Sequence, residues 1–244
     1  MNYREEYQNW LERFKEDKEL VAELKALEGN EREIEDRFYT TLSFGTAGMR
    51  GVLGAGLNRM NVYNVRRATK ALAAYILQTP GQAERGVAIA YDSRRLSDVF
   101  ARQAALVLAA NGVKAYLFDS LRPVPVLSFT IRHLRTIAGI VITASHNPAA
   151  YNGYKVYWED GGQMPPERAG VITGLIRETD YDSALPMDEQ EALAKGLLTI
   201  IGKEVDDAYM AAVKKLCVDP ELCREMGKKL GIVYTPLHES GNLP

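Results

Sequence analysis

The 244-residue sequence has no excess of charge of either sign and no long apolar run. Its 30 Lys and Arg residues are balanced by 32 Asp and Glu residues, whereas binding a nucleic-acid backbone requires a basic surface. A membrane-spanning helix needs about 20 consecutive apolar residues, and no run approaches that length. The N-terminal stretch is charged throughout and does not resemble a signal peptide. We therefore expect a cytoplasmic protein that binds neither nucleic acid nor membrane.

Cysteine is scarce, and the common nucleotide-binding motifs are absent. Cys217 and Cys223 form no CxxC pair and have no histidine nearby, so we expect reduced thiols with a structural role or none. There is no GxxxxGKS/T sequence, and the glycines of "GVLGAG" do not have the spacing of a dinucleotide-binding loop. These absences exclude a P-loop protein and argue against a Rossmann dehydrogenase.

Ser145 follows an apolar run, as the nucleophile of a serine hydrolase does, but its surroundings argue against that class. The local sequence is T-A-S-H-N and not G-x-S-x-G. His146 is adjacent to the serine and badly placed to act as its base. His133 and His238 have no evident acidic partner. Acyl-transfer hydrolysis is therefore disfavoured.

Three apolar runs alternate with two helical patterns in the middle of the chain. The runs are "GVAIAY" from Gly86, "VKAYLF" from Val113 and "TIAGIVI" from Thr136. The first helix between them is predicted to have Ser97 as N-cap and to end before Gly112. This βαβαβ order predicts an α/β fold with a doubly wound, mixed, mostly parallel sheet flanked by helices. Ligands bind such sheets at the carboxyl ends of the strands, where "DSRR" and "TASHNP" lie.

Helical patterns and turn signals surround this βαβαβ unit. The first forty residues have the periodicity of amphipathic helices. Asn61 or Asn64 is expected to cap the helix that follows a glycine-rich segment. The Asn152-Gly153 pair predicts a tight turn, and the alternating residues after it predict a hairpin attached to the sheet.

The last part of the chain is expected to leave this unit. Helices are predicted over 165–178 and 203–218, and "KKLGIVYTPLHESGNLP" predicts a new strand followed by a glycine-containing loop. We predict a first domain over residues 1–200 and the truncated beginning of a second α/β domain over 201–244.

Several motifs occur along the chain in a characteristic order. "FGTAGMRG", "YDSRRLS", "TASHNPAAYNGYKVYW" and "IVYTPLHESGNLP" follow one another. In this order they resemble the α-D-phosphohexomutase superfamily of phosphoglucomutases and phosphomannomutases. The likeness is greatest to its longer phosphoglucomutase and phosphopentomutase branch, which has a helical extension before the first motif. Members are larger multidomain proteins, so the resemblance implies an N-terminal fragment that is inactive alone.

The resemblance implies a phosphosugar mutase that interconverts a sugar 1-phosphate and a sugar 6-phosphate. Ser145 matches the serine that carries a phosphoryl group, donates it to the sugar and recovers one from a bisphosphate intermediate. A Mg²⁺ ion would bind a phosphoryl oxygen on Ser145, and its aspartate ligands, in a DGDxDR run, would lie beyond residue 244. The implied partners are a hexose or pentose phosphate, the sugar bisphosphate and the missing C-terminal domains.

Further site residues follow from matching positions in the resemblance. Lys155 corresponds to a candidate general acid or base, and Arg50 corresponds to the arginine that reaches the phosphoserine. Asn147 is expected to shape the loop and contact substrate, and His146 is a weaker catalytic candidate. Arg94 lies at a neighbouring strand end and is a candidate for orienting a phosphate.

These roles have structural alternatives. Arg50 could brace the glycine-rich loop, Lys155 could lie on a solvated face of the hairpin, and Arg94 could pair with Asp92 or Asp98.

The predicted function has alternatives too. A phosphopentomutase, a sugar-bisphosphate synthase and a non-catalytic phosphosugar-binding domain stay alternatives. Glu239 stands where relatives have glycine, so the last loop departs from the family pattern.

Overall fold

A computed structural model describes residues 2–45, 48–237 and 240–242. The strands are β1 (Gly48–Val52), β2 (Val87–Tyr91), β3 (Ala115–Phe118), β4 (Ala138–Ile142), β5 (Tyr151–Trp158) and β6 (Leu198–Ile201). The helices are α1 (Tyr3–Arg13), α2 (Lys18–Lys25), α3 (Glu31–Phe38), α4 (Val62–Leu77), α5 (Gln82–Arg85), α6 (Ser97–Ala110), α7 (Val124–Leu134), α8 (Pro166–Glu178), α9 (Glu189–Ala194), α10 (Lys203–Lys214) and α11 (Pro220–Gly227). Within these residues the strands form one sheet in the order β1-β5-β4-β2-β3-β6.

The sheet is mixed and mostly parallel, as predicted. β2, β3, β4 and β6 run parallel, whereas β5 is antiparallel to both of its neighbours, β4 and β1. The four parallel strands therefore end at one edge of the sheet, which is the edge where ligands bind in doubly wound folds. The α/β class predicted from the alternating pattern is confirmed.

The sheet separates two apolar layers. α6 packs on one face and α4 packs on α6 and α8, and Phe100 and Leu108 are fully buried in this layer. α7 packs on the other face with α10 against it, and here Leu127, Ile131 and Val141 form the core. Burial of apolar side chains on both faces explains why the central strands are continuous apolar runs.

The predicted N-terminal helices are present and form a small aromatic core of their own. Trp10, Phe14 and Phe38 are buried between α1, α2 and α3. Trp10 also packs edge-on against Tyr63 of α4 and against Tyr181, with ring centroids 6.0 and 5.5 Å apart. Aromatic pairs of this geometry contribute about 0.5–1.5 kcal/mol beyond area burial, so the N-terminal helices are fastened to the α/β unit.

The helix ends agree with the sequence at two positions and differ at one. The Asn61 side chain caps α4, accepting from the backbone N–H of Asn64 at 3.0 Å. Gly112, with φ +74°, follows the end of α6 as predicted. Ser97, however, is not the N-cap of α6. It is the first helical residue, and its hydroxyl donates to the Asp92 carboxylate at 2.7 Å, so this side chain closes the loop before the helix.

The predicted turn at Asn152-Gly153 is wrong. Both residues lie inside β5, which pairs with β1 and β4 in the sheet. A Cβ at Gly153 would lie 2.5 Å from the carbonyl oxygen of Thr143 and 3.0 Å from that of Met49. Glycine is needed here because two backbone segments approach closely, not because the chain reverses. The hairpin predicted to hang on the sheet is instead part of it.

The predicted C-terminal strand is also absent from the described residues. Residues 231–236 have no regular secondary structure and pair with no strand, and Ile232 and Val233 are 80% and 97% exposed. A strand requires a partner for its backbone groups, and in the described part of the chain this segment pairs with neither edge of the sheet. His238 and Glu239 lie outside the described residues. The division into domains at residue 200 stays a prediction. No helix in the described ranges combines the length and apolarity needed to span a bilayer.

The packing around Gly153 predicts that a single methyl group there is destabilising. We expect Gly153→Ala to lower the free energy of unfolding by about 1–3 kcal/mol, because the added Cβ would press on two backbone carbonyls. Gly174→Ala in α8 is the matched control. Its Cβ would meet nothing within 4 Å, and alanine favours the helix by about 0.5–1 kcal/mol. Urea unfolding followed by circular dichroism measures both, and equal midpoints would contradict the account.

Candidate active site

The candidate site lies at the carboxyl edge of the sheet, where the loop after β4 leaves the core. β4 is buried along its whole length, and Thr143 and Ala144 continue the burial. Ser145 is the first exposed residue after this stretch. A buried strand that ends in an exposed hydroxyl places a reactive group on a rigid support.

The backbone of Ser145 adopts an uncommon conformation. Its φ is +55°, in the left-handed region, which costs a residue other than glycine about 1–3 kcal/mol. The Ser145 N–H donates to Thr143 Oγ1 at 2.9 Å, and the Asn147 N–H donates to the Ala144 carbonyl at 3.1 Å. Among the described residues, Ser145 Oγ itself has no hydrogen-bond partner. The loop therefore turns tightly while its hydroxyl stays available.

Arg94 lies beneath this loop and donates to its backbone. Nη2 donates to the carbonyls of Ser145 and Asn147 at 2.7 and 2.6 Å. Nη1 donates to those of Pro148 and Tyr151 at 2.9 and 3.0 Å. The predicted site residue Arg94 is thus at the site, but its guanidinium is directed at the protein backbone. Its suggested contact with a phosphate stays a prediction that this geometry does not favour.

Arg50 reaches the loop from the neighbouring strand. β1 pairs with β5 so that Arg50 lies opposite Gly153, and its Nη1 donates to Asn147 Oδ1 at 2.6 Å. The side chain is exposed. A planar guanidinium with remaining free N–H groups suits the oxygens of a phosphate.

Lys155 lies on the same face of the sheet. In β5 it pairs with Val141 of β4 and with Gly48 of β1, and it lines the cavity in front of Ser145. Partial burial, together with repulsion from Arg50, lowers the pKa of Lys155 below its ordinary value, while Asp92 partly opposes this shift. A lysine with a lowered pKa can exchange protons more readily near neutral pH.

A cavity of about 870 Å³ opens in front of the loop. Ser145, His146, Asn147 and Lys155 line it, together with residues of the loops after β2 and β3. His146 is exposed, and its catalytic role stays a prediction. Arg95 adds an exposed cation to the wall, and Asp92 is the one acidic residue among the described lining residues. The cavity therefore suits an anionic ligand.

Arg122 was not singled out from the sequence, yet it forms part of the cavity wall. Its side chain is only 2% exposed, and Nε and Nη2 each donate to the Asp206 carboxylate of α10 at 2.8 Å. A signal for it was present, because "DSLRP" follows β3 at the same edge as "DSRR" and "TASHNP".

The described residues do not by themselves fit a Mg²⁺ site. Mg²⁺ requires several oxygen ligands. Asp92 Oδ1 accepts from Ser97 Oγ and from the Arg94 N–H, and Oδ2 lies 3.4 Å from Arg94 Nε. No cluster of three His, Cys, Asp or Glu able to hold a metal occurs in residues 2–45, 48–237 and 240–242. These residues alone would therefore leave the ion without a complete set of ligands.

The surroundings of Lys155 predict that its ammonium group loses its proton at a lower pH than an ordinary lysine does. Competitive labelling of amines between pH 7 and 11, read by mass spectrometry, should give Lys155 a midpoint below its ordinary 10.5. Lys114 and Lys203 are matched references, because carboxylate partners raise their pKa values. Arg50→Met removes a repelling cation and should raise the Lys155 midpoint, whereas Arg132→Met on α7 should not change it. A Lys155 midpoint at or above those of the references would contradict the geometry.

Comparison with known proteins identifies the same unit. The family model described as "Phosphoglucomutase/phosphomannomutase, alpha/beta/alpha domain I" matches residues 41–183. That range includes Arg50, Arg94, Ser145 and Lys155.

Relatives and a solved structure agree with the family model. A phosphoglucomutase of Staphylococcus saprophyticus is 38% identical over 208 residues, covering 85% of this chain and 37% of that protein. The phosphopentomutase of Homo sapiens is 34% identical over 232 residues, covering 92% and 37%. The crystal structure of a Thermus thermophilus protein assigned as a phosphomannomutase superimposes with a TM-score of 0.60 at 31% identity, covering 72% of this chain and 36% of that one.

The chain spans 34% to 40% of the length of the curated relatives that it matches. The matched range begins just before β1 and covers the five strands β1 to β5. It is more than half of the chain. The chain therefore belongs to the phosphoglucomutase/phosphomannomutase family and contains its α/β/α domain I.

Proposed function

We propose that this chain carries the phosphoryl-accepting serine of a phosphosugar mutase. The observation that carries the proposal is the state of Ser145: it is exposed and held at the end of a buried strand, and its Oγ is without a partner in the described residues. It also shares a cavity with Lys155. A capping or structural serine would have its hydroxyl bonded to the backbone.

The proposed reaction exchanges one phosphoryl group between serine and sugar. In the first step the Oγ–P bond of phosphorylated Ser145 breaks as a P–O bond to a sugar hydroxyl forms. The hydroxyl loses a proton, Ser145 Oγ gains one, and a sugar bisphosphate results. In the second step Ser145 Oγ attacks the other phosphoryl group of the bisphosphate, with the proton transfers reversed. The net result moves a phosphoryl group between two positions of one sugar.

Positioning and charge neutralisation are the main catalytic requirements of such a transfer. Arg50 is proposed to contact phosphoryl oxygens, since its guanidinium is exposed and already anchored to Asn147 of the serine loop. Lys155 is proposed as general acid and base, because its lowered pKa favours proton exchange with a sugar hydroxyl. Asn147 is proposed to orient Arg50, and His146 is kept as a secondary candidate at the exposed tip of the loop.

A hexose phosphate is the proposed substrate, with a shift between positions 1 and 6. A pentose phosphate is a second candidate, since a relative named phosphopentomutase covers 92% of this chain at 34% identity. Mg²⁺ on the phosphoserine oxygens is part of the proposal, and its carboxylate ligands would have to be additional to the described residues. The predicted division into a first domain to residue 200 and a second from 201 is retained as a proposal as well.

The phosphoserine can be tested by mass. The protein purified from its native cells should carry one phosphoryl group on the peptide that contains Ser145, and incubation with glucose 6-phosphate should release it as glucose bisphosphate. Ser145→Ala should carry none. Ser120→Ala is a matched control, because Ser120 follows β3 at the same edge of the sheet, and its loading should equal that of the wild type. Phosphate found on a different residue alone would refute the assignment.

The role of Arg50 can be tested by the rate of phosphoryl release. In the protein as produced in its native cells and supplied with Mg²⁺, Arg50→Met should slow transfer from phosphorylated Ser145 to glucose 6-phosphate by about 10²-fold, the usual effect of removing one group that stabilises transition-state charge. Arg50→Lys should recover part of the rate, because it restores charge without the planar fork. Arg132→Met on α7 is the control for loss of a surface cation. A wild-type rate in Arg50→Met would exclude the proposed contact.

A further inference from the structure

The loop after β2 supplies the residue that fixes the conformation of the serine loop. We infer that Arg94 is a positioning residue that holds Ser145 in its left-handed conformation through four backbone carbonyls, and that it is not a ligand of the phosphate. Only the consequence of this inference for catalysis rests on the proposed function. Its structural part stands on contacts within the described residues.

All three nitrogen atoms of the Arg94 guanidinium are directed at protein acceptors. An arginine has five N–H donors in one plane. Nη1 and Nη2 use four of them on the carbonyls of residues 145, 147, 148 and 151. Nε lies 3.4 Å from the Asp92 carboxylate. No donor is left over for a phosphate unless one of these contacts is broken.

The two contacts of Nη2 explain the backbone of Ser145. The carbonyls of Ser145 and Asn147 both point at this one nitrogen, at 2.7 and 2.6 Å. Carbonyls two residues apart converge on one point only when the chain reverses between them, and the left-handed φ of Ser145 begins that reversal. Because the carbonyls point inward, the hydroxyl of Ser145 and the ring of His146 remain exposed at the cavity.

Arg94 is itself anchored at the end of β2, so its side chain connects the serine loop to the sheet. Asp92 follows β2, and its Oδ1 accepts from the Arg94 backbone N–H at 3.0 Å and from Ser97 Oγ at 2.7 Å. The Arg94 and Asp92 side chains are only 15% and 17% exposed. A pair of opposite charges this close has little net field at a distance, which leaves Arg50 and Lys155 to attract the phosphate.

The neighbouring arginine offers a matched comparison. Arg95 is exposed, and its backbone carbonyl accepts from Asn152 Nδ2 at 3.1 Å. Its guanidinium has no hydrogen-bond partner among the described residues. Substituting either arginine removes one cation from the same loop. Only substitution of Arg94 removes the donors beneath Ser145.

Amide hydrogen exchange of the unphosphorylated protein tests the inference directly. The amides of Ser145, Asn147 and Tyr151 are hydrogen-bonded within the loop and should be protected in the wild type. In Arg94→Met they should exchange on the order of tenfold faster or more, since four charge-assisted bonds are lost locally. The amide of Ile140 in β4 should be unchanged. Arg94→Lys should fall between, because lysine has three donors and no planar fork, and Arg95→Met should match the wild type.

Each outcome decides the inference. Wild-type exchange rates at the loop amides in both Arg94 variants would overturn it. A uniform rise in exchange rate across the sheet, or failure of both variants to fold, would also overturn it, because either result assigns Arg94 to global stability. If Arg94→Met alone fails to fold, Arg94→Lys decides by the same criterion. The test is independent of the proposed function. Absence of phosphate on Ser145 in the wild type would remove the mutase and leave the exchange result standing.

Discussion

The convergence of four backbone carbonyls on the guanidinium of Arg94 is the interaction on which the candidate site depends. A serine at the end of a parallel strand would ordinarily continue into a helix or a relaxed loop. Here Arg94 forms a largely buried ion pair with Asp92, and its guanidinium donates hydrogen bonds to the carbonyls of the serine loop. The cost of a left-handed Ser145 is thereby offset by charge-assisted hydrogen bonds. Ser145 lines the cavity, whereas its own carbonyl and that of Asn147 accept from Arg94.

The second constraint is the addition of β5 and β1 to a parallel sheet. β5 runs against its neighbours, so the chain after the serine loop returns along β4 and carries Lys155 to the cavity. β1 then pairs with β5 and places Arg50 beside Asn147, 97 residues away in sequence. Glycine at 153 allows the close approach that this arrangement requires. Strand register therefore brings one cation, Lys155, to the cavity that Ser145 lines and a second, Arg50, to Asn147 of the same loop.

Much of this arrangement could be predicted from local patterns, and the exceptions share a physical cause. The apolar runs from Gly86 to Ile142 predict buried strands correctly, because burial on both faces leaves a composition signal. The preferences of Ser97, Asn152 and Gly153 for caps and turns describe an isolated chain and mispredict their places. In the fold Ser97 bonds to Asp92, Asn152 bonds to the Arg95 backbone, and Gly153 lies close to the backbone of Thr143 and Met49. Arg94 could be placed at the site from its position after a strand, but its partners depend on the path of a loop fifty residues later, which no local pattern encodes.

The buried ion pair between Arg122 and Asp206 has a mechanical consequence. Arg122 is part of the cavity wall, and its charge is compensated by a carboxylate on α10. Pulling α10 away would break both hydrogen bonds to Asp206 and leave Asp119, 3.1 Å from Nη2, as the remaining carboxylate partner of Arg122. A displacement of α10 would therefore also disturb Arg122, so the position of this helix is coupled to the shape of the cavity wall.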